Sequence, residues 1–295
     1  MNYTNQTSNN DYTIDRFMYI VSMYVIFKLT LIGNICVVLI ILYSKYRISK
    51  NSKKFCIRLK NLRISFYILS LSIADINVAL MSILPQIFET TNPKFYNSNV
   101  SCKFVKFIQV FSVYASTYTL LQMGFDRFDC ICRPIKSVAW TQSNAINLLV
   151  LSYFLSAFFS LPQIIVWSIE SNTCSASFDM LGKKNSLHLM RVYVFYHAIA
   201  QFFIPLLILC YLYTKIAITV NNMVKSKYMK EDSEIRQHLT PESLYSLNKS
   251  KITTFKMTLA IVVTFALCIM PYYTTQVILT IVINPSELAI KIFRK

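Results

Sequence analysis

Apolar residues in this chain fall into six long blocks, roughly at 17–43, 64–88, 104–125, 143–168, 190–218 and 256–283, with polar segments between them. A helix needs about 20 largely apolar residues to cross the hydrocarbon core of a bilayer. Each block meets that length, and no uncharged run as long follows Ile283. Helices satisfy their own backbone hydrogen bonds inside lipid. A membrane barrel would show short segments of alternating polarity instead, and three glycines in the whole chain also speak against one. The pattern predicts an all-α transmembrane helical bundle with six helices in one domain. Residues 1–16 form a polar N-terminal segment, 17–283 the membrane domain, and 284–295 a short remnant behind Asn284-Pro285, which stops the sixth helix. The segment 219–253 is polar, mixed in charge and contains Pro241, so it is expected to hold no fixed structure of its own.

Composition agrees: 55% of the 295 residues are hydrophobic and 15% charged, against about 25% charged in a soluble domain. The net charge of +17 is not a nucleic-acid signal, because the lysines and arginines cluster between apolar helices rather than on a soluble basic domain. The segment 44–63 runs from Lys45 to Arg63 with many basic residues and no acid. Basic loops stay in the cytosol. That places this loop and the loop at 215–256 inside, and the N-terminus with the loops at 89–103 and 169–189 outside. Residues 1–16 lack the basic start and apolar core of a cleavable signal. The sequons at Asn2, Asn5 and Asn99 fall on the outer side and are expected to carry glycans. Most of the eight cysteines lie in helices or on the cytosolic side, where disulfides rarely persist. Cys102 and Cys174 are the exceptions, and they are expected to pair; two free thiols are the alternative.

Polar groups at bilayer depth are costly and need a partner or a role. Asp75 and Asn34 lie in the middle of the second and first spans. Asp126-Arg127 follows Cys102 by 24 residues, about 36 Å of helix, which sets Arg127 at the cytosolic mouth. An adjacent Asp can hold a guanidinium. Residues 249–258 at the base of the sixth helix contain no acid, so Asp126 is the expected holder. Gln86, Lys106, Gln109, Gln163 and Gln276 fall in the outer thirds of four helices. Either they make structural bonds between helices, or they line a polar cup open to the outside that suits the backbone amides of a peptide. No carboxylate is expected there to hold an amine. The three histidines are scattered, so neither a metal site, a cofactor nor a catalytic centre is expected. Inverted repeats and broken helices of a transporter are absent as well.

Gly33-Asn34, the run ending at Asp75, Cys102, Asp126-Arg127, Pro205 with Tyr213, and Phe265 with Cys268 and Pro271 resemble rhodopsin-like receptors over residues 17–283. Leu84-Pro85-Gln86, Lys106 to Gln109, Cys132-Arg133-Pro134 and Leu161-Pro162-Gln163 resemble the vasopressin/oxytocin receptor group more closely. The resemblance implies a seven-helix receptor fold, of which six helices are present, in the plasma membrane with membrane lipid around it. It implies a short, disulfide-ringed, amidated peptide hormone in the polar cup and a heterotrimeric G protein at Arg127. It also implies that Asn34, Asp75, Asp126, Arg127, Tyr213, Phe265 and Pro271 carry activation. Ser82, Tyr153, Phe128 and Ile269 depart from the group's pattern, Ile269 standing where a tryptophan is usual. No segment after Ile283 matches a seventh helix. The alternative expectation is therefore a non-signalling fragment or isoform, able to pair with a full receptor as a dimer, or a receptor for a different short neuropeptide.

Overall fold

The computed structural model describes residues 3–50, 55–92, 94–138, 141–170, 173–178, 186–230 and 241–282. The helices are α1 (Tyr3–Lys50), α2 (Phe55–Val78), α3 (Leu84–Thr91), α4 (Asn99–Cys132), α5 (Pro134–Val138), α6 (Gln142–Ser160), α7 (Pro162–Val166), α8 (Ser186–Ala198), α9 (Ile204–Lys230) and α10 (Pro241–Val282). Single π-helical turns at Ala79–Ile83 and Ile199–Phe203 join α2 to α3 and α8 to α9. Among the described residues, six stretches are long and apolar enough to cross a membrane, from Arg16–Tyr46 to Leu259–Ile278. The all-helical class expected from the apolar blocks is therefore the one observed. One two-stranded antiparallel hairpin is added, β1 (Trp167–Glu170) and β2 (Thr173–Ala176).

The distribution of side chains explains why these helices need lipid. Phe154, Leu207 and Leu267 are each about two-thirds exposed, while Ser112, Thr119, Ser156 and Ser160 are buried. Apolar faces on this scale are rare on a water-soluble monomer. The small hydroxyls inside pay no desolvation cost, because each bonds its own helix. Ser156 donates to the Ser152 carbonyl and Ser160 to the Ser156 carbonyl, both across 2.7 Å.

Two differences from the sequence reading concern loops. The segment 219–253 is not structureless: α9 continues to Lys230 and α10 begins at Pro241, where proline is well suited to a helix's first turn. The fourth span breaks at Leu161 and ends at Val166, because Pro162 has no N–H to continue the ladder. Residues 284–295 lie outside the described set.

The chain divides into two compact units, the first drawing on Met1–Thr119 and Ser152–Leu189, the second on Leu120–Leu151 and Met190–Ile283. In the first, Tyr114, Tyr118 and Phe159 pack with ring centroids 5.6–6.0 Å apart and join α4 to α6. In the second, Gly124 lets α4 approach α9, for a Cβ there would stand 2.9 Å from Leu209 Cδ2. Gln122 donates to the Ala145 carbonyl at 3.2 Å and ties α4 to α6.

Candidate functional site

Four of the five polar residues predicted for the outer layer, Gln86, Lys106, Gln109 and Gln163, fall in the first unit. Lys106 lies one turn after Cys102 on α4, so the two share a helical face. Cys102 is disulfide-bonded to Cys174 in β2, which confirms that pairing over free thiols. Cys174 pairs with Ile169 in β1, and β1 begins at Trp167. The Ile169 N–H donates to Asn99 Oδ1 at 3.2 Å. The hairpin is thus fastened to the start of α4, and Trp167 returns over Lys106, whose Nζ lies 4.4 Å from the ring centroid. Tyr96, Cys102 and Cys174 form the buried cluster beneath, with Val105 and Trp167 packed on it.

Lys106 also pairs with Glu89 at 2.6 Å. The expectation that no carboxylate stands in this layer is therefore corrected. Glu89 follows Gln86 by three positions on α3, hence on the same face, and that spacing was the available signal. The pairing itself depends on how α3 meets α4. Tyr96, in the loop after α3, has its hydroxyl pushed up in pKa, by burial first and by the charge of Glu89 second, so it stays neutral.

Gln109 lies one turn deeper on α4 and is 7% exposed. Its Nε2 donates to the Ser82 carbonyl across 3.5 Å. Ser82 sits in the π turn, where the Leu84 N–H reaches back to Ala79 and Pro85 donates nothing. The α2–π–α3 span is therefore linked to α4 at two successive levels, by Gln109 and by Lys106. Gln163, 2% exposed, is set in α7 by the Pro162 break. Gln86 on α3 is half-buried. Deeper in this unit, Ser116 donates to Asp75 at 2.5 Å and joins α4 to α2. Asn34 bonds the Thr30 carbonyl of its own helix at 2.9 Å rather than a neighbour.

In the second unit, Gln276 lies half-buried on α10, and its carbonyl accepts from Thr280. Tyr273, one turn away, donates to Gln201 Oε1 at 2.5 Å, a pair the sequence reading missed. Phe202 stacks on Tyr273 at 5.6 Å, and Leu206, Phe265 and Ile269 pack on that cluster. Pro271 lies within the continuous helix α10 just before it, and the Thr275 hydroxyl donates to its carbonyl at 2.7 Å. At the other end of the unit, Arg127 forms an ion pair with Asp126, the two side chains 5% and 1% exposed. Tyr213 is buried beside Gly124.

Of the sequons, Asn99 is exposed, Asn5 falls in α1, and Asn2 lies outside the described residues. Among the described residues no cluster of three or more His, Cys, Asp or Glu is placed to hold a metal ion.

The profile of the 7 transmembrane receptor (rhodopsin family) matches residues 33–293. Among known proteins, the chain is similar to cephalotocin receptor 2 of Octopus vulgaris, 29% identical over 262 residues, covering 85% of this chain and 58% of that protein. It is also similar to the mesotocin receptor of Rhinella marina, 30% identical over 261 residues, covering 84% and 61%. A third relative is the vasopressin V1b receptor of Mus musculus, 29% identical over 234 residues, covering 74% and 56%. The chain spans less than two-thirds of the length of these relatives.

Proposed function

The chain belongs to the rhodopsin family of 7-transmembrane receptors, and on that premise we propose that it binds a short vasopressin/oxytocin-like peptide on its outer side and passes the signal to a heterotrimeric G protein. Receptors of this kind are not enzymes. Its relatives are named for peptides of that type. One observation supports the reading most: Lys106, Gln109 and Gln163 are each less than 10% exposed in the outer layer of the first unit, at a depth where apolar residues would be cheaper. Amide side chains offer both donors and acceptors, which match peptide backbone groups. Gln86 belongs to the same layer, and Gln276 in the second unit is assigned to ligand binding as well.

Arg127 and Asp126 serve as the cytosolic contact, and Asn34 and Asp75 in the first unit and Tyr213, Phe265 and Pro271 in the second carry activation. Binding drives activation only through a difference in affinity for the two states. Pro271 supplies a pivot within α10, because it leaves a helix carbonyl without its usual donor. The N-terminus, with glycan sites Asn2 and Asn5, and the segment 89–103, with Asn99, face outward, and the basic segment 44–63 faces the cytosol. The test is saturation binding of a radiolabelled vasopressin-like nonapeptide amide to membranes carrying the receptor, followed by nucleotide exchange on added G protein. Saturable binding with ligand-driven exchange is expected. Absence of both refutes the reading.

A further inference from the structure

We propose that Glu89 sets the charge selectivity of the outer layer: by neutralising Lys106 it makes this corner accept uncharged amide groups of a ligand and turn carboxylates away. The inference rests on the peptide-binding reading above and adds the class of ligand group that is taken.

Lys106 and Glu89 are 2.6 Å apart, with 8% and 18% of their side chains exposed. Charges paired this closely act on an arriving group as a dipole rather than as a cation. The ammonium is fixed in place as well. The ring of Trp167 covers it at 4.4 Å, and Trp167 is tied back to α4 through β1, β2 and the Cys174–Cys102 disulfide. Lys106 leaving Glu89 would also give up its contact with the Trp167 ring, which the hairpin and the Cys102 cluster hold in place. The amides of Gln86, Gln109 and Gln163 belong to the same layer in this unit, and the Arg16 guanidinium stands nearby, donating to the Thr90 carbonyl. A ligand carboxylate entering here would be desolvated beside the negative charge of Glu89, while the Lys106 charge is already matched by that partner. A ligand amide costs far less to desolvate and finds donors and acceptors of its own kind.

A structural brace between α3 and α4 would change affinity for every ligand alike. Neutralisation changes the ratio between matched neutral and acidic ligands, which gives the test. A vasopressin-like nonapeptide amide is the reference, and each of its primary amides, on side chains and at the C-terminus, is replaced in turn by the isosteric carboxylate. Affinities are measured by competition on membranes carrying wild type, Glu89→Gln and Glu89→Gln/Lys106→Gln. Wild type is expected to favour the amide at the position that meets Lys106. Glu89→Gln is expected to shrink that preference about tenfold by improving the acid form, and the double variant is expected to restore it. If Glu89→Gln fails to reach the membrane, Lys106→Gln alone is read instead, and its preference for the amide should widen. A ratio within about twofold of wild type at every position, or a double variant that keeps the shrunken ratio, overturns the inference. Amide binding with unmoved ratios defeats this inference alone. No amide binding to wild type defeats the peptide reading on which it stands.

Discussion

Tyr273 on α10 donates its hydroxyl hydrogen to Gln201 in the π turn between α8 and α9, across 2.5 Å, and both side chains are buried at 6% exposure. Phe202, the next residue, stacks on the same tyrosine ring. The π turn matters here because it adds a residue to the helix turn and re-aims the side chains after it. Gln201 and Phe202 thereby meet one residue of α10 together. Ile269, which lacks the ring usual at its position, packs on this cluster.

Tyr273→Phe removes the bond but keeps the stack. It should cost about 1 kcal/mol, the scale of interhelical hydrogen bonds in membrane bundles, and appear as a lower melting temperature in detergent. Adding Gln201→Leu should cost little more, because the orphaned amide oxygen is removed with its partner. A double variant whose loss equals the sum of the singles would show that the two groups are not coupled.

Asp126→Asn keeps the size of the side chain and deletes the charge that holds Arg127. A hydrogen bond to a charged group contributes roughly 1.5–3 kcal/mol, and about 1.4 kcal/mol is a factor of ten. Ligand-independent nucleotide exchange on G protein should therefore rise about tenfold. Unchanged basal exchange at equal surface expression would remove Asp126 from the account.

Replacing both Cys102 and Cys174 by Ser opens a link of 72 residues. The loss should be about 2–4 kcal/mol of stability. Peptide affinity should fall further than stability alone explains, because the hairpin no longer holds Trp167 over Lys106. Full affinity in well-folded double mutant would separate the hairpin from the site.

Gly124→Ala places a Cβ against the tip of Leu209, a side chain that can shift, so about 1 kcal/mol is expected. Gly124→Leu has no such relief against Leu209, Leu212 and Tyr213, and it should abolish the folded receptor in size-exclusion chromatography of detergent extracts. A well-folded Gly124→Leu would mean that α4 and α9 do not meet here.

The six spans were legible because lipid demands long uninterrupted apolar runs, a signal that needs no knowledge of packing. The Cys102–Cys174 bond was legible from compartment alone. Asp126 holding Arg127 could be read because the two are neighbours in the chain. What stayed hidden depends on how helices meet. Glu89 reads as a loop-end charge until α3 is set beside α4. The π turn at Ile199–Phe203 leaves no mark on hydropathy, yet it decides that Gln201 faces Tyr273. The polar helix continuing to Lys230 looked like a loop because hydropathy reports lipid, not helicity.

The central claim is that the buried outer polar layer binds peptide, and its most direct test is one set of binding isotherms on wild type, Gln109→Leu, Gln163→Leu and Gln122→Leu. Gln122 is as buried as Gln109 but bonds α6 in the second unit, so it controls for the loss of any buried amide. The account predicts that affinity for a vasopressin-like nonapeptide amide falls about tenfold or more in the Gln109 and Gln163 variants and stays within about twofold of wild type in the Gln122 variant. Equal affinity in all four proteins would contradict it.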